Sequence, residues 1–321
     1  MMRLNLPVVA NVPQYESHFY DGVWQQAAAA ICARHHLPYA SLRRSQQGEN
    51  IVFFIDNRFI LKIFAPFRDS YWREKAALEF AHGKLGIETP EMVHTGDLEG
   101  WSYLVMTQLT GVPAREVWSV INSHERSAIV SRLGAALKSL HAPVAPLSHP
   151  ALNRDWRGFI ERQAHTCVER QRACGASPEW VERLPAYIAT RLALLPAEYT
   201  PVLLHGDVHL GNLLLTPGNG GWQITGVFDF GDAWCGFHEY EFVAPGVLMV
   251  QGNRALQRAL LRAYGYTEAQ LDLTLRARLM LLTVLYECSN LRKYALRLVP
   301  AAVTFTLDEL EAAIWTFTAV E

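Results

Sequence analysis

His205-Gly206-Asp207-Val208-His209-Leu210-Gly211-Asn212 sets an aspartate five residues ahead of an asparagine, and Asp229-Phe230-Gly231 follows seventeen residues after Asn212. A carboxylate, an amide oxygen and a second carboxylate in that order suit transfer of a phosphoryl group from a nucleotide to a hydroxyl. In that chemistry Asp207 accepts the hydroxyl proton as general base. Asn212 and Asp229 offer hard oxygen donors to Mg²⁺, which takes the rest of its shell from water and phosphate oxygens.

The spacing has a local reason. Leu213-Leu214-Leu215 is a short apolar run, Pro217-Gly218-Asn219-Gly220-Gly221 is a dense turn signal, and residues 222–228 form a returning strand. The hairpin so formed brings Asn212, entering its first strand, beside Asp229, leaving its second. A rival chemistry is a hydrolytic metal cluster of His205, Asp207, His209 and Asp229. With Val208 extended, Asp207 and His209 would share a face, but that cluster gives no role to Asn212 or to a lysine upstream.

That lysine is Lys62. Residues 51–55 and 59–64 are apolar strands joined by the polar turn Asp56-Asn57-Arg58, and Lys62 is the one charge inside the second strand. Glu74 lies twelve residues on, early in a helix opening near Asp69 or Ser70 and carrying Trp72, Ala76, Ala77, Phe80 and Ala81. A strand lysine can hold nucleotide phosphates while a helix glutamate orients it. Singly, each has an ordinary explanation: an edge-strand lysine in solvent, and a glutamate favoured by the helix dipole. The pair, in this order ahead of the loop at 205–212, favours the functional explanation.

These segments together resemble the aminoglycoside phosphotransferase family, among the kinase-like small-molecule phosphotransferases that include hygromycin, choline and fructosamine kinases. The resemblance implies an α+β, protein-kinase-like two-lobed fold. Its small, mostly β N-lobe would span residues 1–108 and bind nucleotide; its large, mostly helical C-lobe would span 109–321 and carry catalysis and the acceptor. Residues 100–111 resemble the strand and hinge between lobes, so backbone groups of Thr107, Gln108 and Leu109 would bind adenine and Met106 would line its pocket. The implied cofactors are ATP, or GTP in its place, and Mg²⁺. Residues 126–141 correspond to the helix after the hinge, and residues 46–50 to the cover over the phosphates.

Two departures bear on function. Where the family often has Gly-Asp-Pro-x-Tyr-Asp, this chain has Gly236-Phe237-His238-Glu239-Tyr240-Glu241. Glu241 is expected to brace the catalytic loop, and Asp232 to stand near the metal. No arginine separates His205 from Asp207, which argues against a protein substrate. The acceptor is then a small hydroxylated molecule, with an aminoglycoside-type antibiotic leading. The alternatives are a hydroxylated metabolite (amino sugar, choline-like amine or amino acid) or a nucleotide-binding module without turnover. Glu239, Asp272 and Glu287 are the candidates to contact a cationic acceptor.

Composition sets the outer bounds. The chain has 321 residues, half of them hydrophobic, and a formal net charge of −2, so it can bury two substantial cores and has no basic surplus for nucleic acid. Five cysteines without metal-ligand spacing suit a reducing compartment, and no stretch approaches the ~20 apolar residues of a membrane span. A cytoplasmic protein with no membrane or nucleic-acid partner is the expectation. Helices are expected over residues 21–36, 155–172, 178–195, 253–264, 268–294 with a break, and 307–317. The apolar runs at 242–250 and 279–286 are expected to be buried core.

Overall fold

The computed structural model describes residues 3–46, 48–142, 149–299 and 305–318. Its first third is a five-stranded antiparallel sheet, β1 (Leu42–Arg44), β2 (Ile51–Ile55), β3 (Phe59–Ile63), β4 (Met92–Leu98) and β5 (Trp101–Thr107), in the order β1-β2-β3-β5-β4. Ile51, Phe53 and Ile55 alternate onto one buried face. There they meet helices α1 (Val12–His18) and α2 (Val23–Arg34), with Trp24 packed edge-on against Trp101 at 4.5 Å. The turn between β2 and β3 needs two left-handed residues, and Asp56 and Asn57 supply φ of 51° and 52°. Lys62 therefore lies in the middle of the sheet, opposite Val52 on β2 and Leu104 on β5.

Helix α3 (Ser70–Ala81) crosses from this sheet to the rest of the molecule. Its Ala76, Ala77, Leu78 and Ala81 join the larger core, together with Leu104 and Met106 of β5. Trp72, expected on the apolar face, is instead 48% exposed and stacks on His149. It precedes Glu74 by two residues, so a helical period carries it away from the buried face that Glu74 occupies.

After β5 the chain is mainly helical. A small sheet of β6 (Val112–Pro113), β8 (Leu213–Gly218) and β9 (Gly221–Val227) and the pair β7 (Val202–Leu204) with β10 (Trp234–Gly236) carry the site. Around them pack α4 (Ala114–Val117), α5 (Ser123–Leu140), α6 (Trp156–Ala173), α7 (Pro178–Arg191), α8 (Val243–Leu248), α9 (Arg254–Tyr264), α10 (Leu273–Leu285), α11 (Leu291–Leu298) and α12 (Leu307–Ile314). The expected 268–294 helix is broken: a 3₁₀ turn at Glu268–Gln270 precedes α10, and Tyr286 to Asn290 separate α10 from α11. The 307–317 helix ends at Ile314, where Trp315 and Phe317 leave the helical path to enter the core. Among the described residues no helix is long and apolar enough to cross a membrane.

Candidate active site

The loop between β7 and β8 is pinned from beneath. The buried Glu241 carboxylate accepts the backbone N–H groups of His205 at 2.6 Å and Gly206 at 3.1 Å, with His141 3.4 Å away. Gly206 has φ of 83°, and a Cβ there would lie 2.5 Å from the Asp232 carbonyl oxygen, so only glycine fits the turn. Tyr286 donates its hydroxyl to the Gly206 carbonyl at 3.1 Å. His205 is spent on structure: Nδ1 accepts from the Asp207 N–H at 3.3 Å, and Nε2 donates to the Phe228 carbonyl at 3.0 Å. With both ring nitrogens occupied, His205 has no lone pair for a metal, which removes it from the alternative His/Asp cluster. Among the described residues no three His, Cys, Asp or Glu side chains are arranged to hold a metal ion.

Asp207 is held from its flanks. Asn212 Nδ2 donates to its carboxylate and to its backbone carbonyl, both at 3.0 Å, and His209 Nε2 lies 3.3 Å from Oδ2. Because Asn212 spends its amide nitrogen on Asp207, its amide oxygen is the group left for a cation.

Lys62 unites the sheet, α3 and the hairpin end. Its ammonium lies 2.6 Å from Glu74 and 2.7 Å from Asp229, and Lys62 and Glu74 are buried. Burial depresses the Lys62 pKa, but the two carboxylates outweigh it and the net shift is upward. For Glu74, burial pushes the carboxyl up to about 7 against the pull of that ammonium. The Lys62 charge holds Asp229 below the ordinary carboxylate range, with burial opposing. The β8–β9 pairing of Leu213 with Val227 continues into a Phe228 N–H to Asn212 carbonyl bond of 3.1 Å, which sets Asn212 and Asp229 at one hairpin mouth. Asp229 there has φ of 68°. One carboxylate whose Oδ1 is on Lys62, one open amide oxygen and the neighbouring Asp232 are a hard-oxygen donor set that fits Mg²⁺.

Two adjoining cavities share Asn212, Asp229 and residues 48–50. The first, of about 460 Å³, runs from Lys62 to an apolar end made by Val52, Ile60, Met106 and Leu109. The N–H groups of Thr107 and Gln108 are committed to the carbonyls of Glu91 and Arg58. The Leu109 N–H has no backbone partner among the described residues, so it and the hinge carbonyls are what a base edge would meet. The second cavity, of about 540 Å³, is polar and holds Asp207, Asp232, Glu49 and Asp69 together with Arg68 and Arg73. Burial, then the charges of Asp207 and Asp229, raise the Asp232 pKa. Gln47, within the expected phosphate cover, lies outside the described residues.

A family model described as the phosphotransferase enzyme family matches residues 41–278. The chain belongs to that family. This phosphotransferase is also similar in fold to wild-type aminoglycoside 2'-phosphotransferase-IIIa in complex with GDP, at 17% identity and a TM-score of 0.69, over 90% of this chain and 98% of that one. It resembles the streptomycin–ATP ternary complex of APH(2")-IIa at 17% identity and 0.60, over 89% and 97% of the two chains. It resembles aminoglycoside phosphotransferase APH(4)-Ia at 20% identity and 0.58, over 91% and 98%. The α+β, kinase-like fold and the small-molecule kinase class expected from the sequence both hold.

The three acceptor candidates of the phosphotransferase have partners within the fold. Glu239 is buried under Arg278, which approaches its two oxygens at 2.5 and 2.6 Å, and accepts from Tyr266 at 3.0 Å. Asp272 caps α10 through the Leu275 N–H at 2.8 Å. Glu287 is exposed and paired with Arg154 at 3.0 Å. Each carboxylate is engaged in holding the fold, whereas the acidic lining of the polar cavity comes from Glu49, Asp69 and Asp232 together with Asp207 and Asp229. Sequence reasoning took Asp232 only as a neighbour of the metal and did not single out Glu49, Asp69, Arg68 or Arg73, because such residues at turns and helix starts are also common on solvated faces.

His238 gives this region a pH dependence. Burial first, then the positive charges of His141 and Arg278, lower its pKa to about 4, while Nε2 sits 3.1 Å from the Tyr266 hydroxyl. The folded protein keeps this ring neutral where the unfolded chain would protonate it near 6.5, so stability is lost as pH falls from about 6.5 towards 4. The expected loss across that window is on the order of 3 kcal/mol. His238→Gln should flatten the melting-temperature profile in that window, and an unchanged slope would contradict the assignment.

Proposed function

We propose that the protein uses Mg²⁺ and ATP, with GTP as the alternative donor, to phosphorylate a hydroxyl of a small polar molecule. The observation that carries this is the convergence of Lys62, Glu74 and Asp229 with the Asp207–Asn212 pair where the two cavities join. Met106 and the backbone of Thr107 to Leu109 receive the base, Lys62 binds phosphate oxygens, and Glu74 keeps Lys62 aimed. Asn212 and Asp229 hold the magnesium ion, which when bound neutralises charge on the transferring phosphoryl group. Asp207 takes the acceptor proton. All five polar residues of this set are present, as a Lys62–Glu74–Asp229 cluster and an Asp207–Asn212 pair, which speaks for turnover over a silent nucleotide-binding module. We put the lobe boundary at Gln108, directly after β5 ends at Thr107, and five free cysteines support a cytoplasmic setting.

For the acceptor we favour a cationic, aminoglycoside-type antibiotic, because Asp232, Glu49 and Asp69 line the polar cavity beside Asp207. Arg68 and Arg73 on the same wall favour a second reading, a hydroxylated metabolite bearing an acidic group as well, such as an amino acid. Expression in a susceptible bacterium and ADP release with hygromycin B, kanamycin and streptomycin decide between them. The expected result is resistance together with acceptor-dependent ADP release on at least one compound. Absence of both would sink the antibiotic reading and promote the metabolite.

A further inference from the structure

The β1–β2 loop is tied at both ends to one short helix that lies outside the matched family region. At its far end, the buried Tyr15 of α1 donates its hydroxyl to the Glu49 carbonyl at 2.9 Å. At its near end, Arg44 closes β1 and donates to the carbonyl of Phe19, the C-cap of α1, while stacking 5.1 Å above the Phe19 ring. Tyr15 is itself wedged between Phe19, Phe67 and Trp101. Arg68 lies 6.0 Å above the Tyr15 ring and pairs with the Glu49 carboxylate at 2.7 Å. The family match begins at residue 41, so Tyr15 and Phe19 precede it.

We propose that α1 is a positioning element of the phosphotransfer site, setting Gly48, Glu49 and Asn50 over the nucleotide phosphates through Tyr15 and the Phe19 carbonyl. This rests on the assignment of that loop as the phosphate cover. Gly48, Glu49 and Asn50 line both cavities. A loop with a single glycine cannot rely on a run of backbone N–H groups fixed by its own sequence, so its register has to come from outside. Burial raises the Tyr15 pKa, which keeps its hydroxyl a donor across the working range. The two ties lie at opposite ends of the loop, and a helix that moved would shift both together.

Tyr15→Phe removes the hydroxyl and keeps the ring, so the aromatic packing that folds this corner is retained. In the full-length chain, calorimetry with Mg²⁺–ATP and with adenosine separates the phosphate contacts from the base contacts. Affinity for Mg²⁺–ATP should fall about five- to tenfold, as for loss of one well-placed hydrogen bond, while adenosine affinity stays put. Hydrogen exchange should quicken at the amides of residues 48–52. Unchanged Mg²⁺–ATP affinity, or an equal loss for adenosine, would overturn the positioning role. If the wild-type protein bound Mg²⁺–ATP no better than adenosine, the phosphate-cover assignment itself would fall, and the proposal with it.

Discussion

Replacing Asp207 by Asn is expected to leave nucleotide bound and to cut phosphoryl transfer by ~10²–10⁴. The substitution preserves shape, and the remaining side-chain oxygen can still accept from Asn212 Nδ2, now 3.0 Å from the carboxylate. What is lost is the capacity to take a proton from the acceptor hydroxyl. The proposed nucleotide contacts lie elsewhere, on Lys62, Met106 and the hinge, and both cavities keep their walls. The measurement is single-turnover transfer to whichever acceptor of the panel is active, set beside a calorimetric nucleotide titration. Wild-type turnover in the Asn variant would strip Asp207 of its role. Loss of nucleotide affinity in step with turnover would instead mark Asp207 as a metal ligand, the outcome the His/Asp alternative requires.

The site was legible in the sequence to the extent that its chemistry is local. The 17-residue step from Asn212 to Asp229 encodes a hairpin, and the β8–β9 register closes it as the turn residues imply. Lys62 and Glu74 were legible because a charge inside an apolar strand needs a partner, and a helix follows at once. The direct Lys62–Asp229 contact was not, since it depends on how the sheet is set over the hairpin, and no local spacing records that. The partners of the acceptor candidates were hidden for a related reason. Glu239 is a sequence neighbour of the brace Glu241, but its arginine comes from α10, thirty-nine residues on, and that pairing is visible only once α10 is docked. Helix α1 was missed because its seven residues are too short for a periodic signal, although Asn11 before Val12-Pro13 is a capping pattern.

Asp229→Asn is expected to abolish most of the metal-dependent part of nucleotide affinity while sparing the metal-free part. Asn is the informative replacement because Asp229 has a left-handed backbone, φ 68°, which Asn tolerates and Ala does not. The amide removes the charge that draws Mg²⁺, and a directly ligating group should cost at least the ~10–100-fold seen for residues that merely support ligands. Lys62 feels the change as well. It loses a carboxylate at 2.7 Å but keeps Glu74 at 2.6 Å, so it stays charged, neutralises the buried Glu74 and becomes freer to turn towards phosphate. Metal-free affinity should therefore hold or rise slightly while the magnesium-dependent affinity falls. Calorimetry with ATP, with and without Mg²⁺, reads both. Full retention of the magnesium enhancement would show that the metal is held by Asn212 and Asp232 without Asp229. A parallel fall in both titrations would mean that Asp229 acts through the Lys62–Glu74 cluster and not through metal.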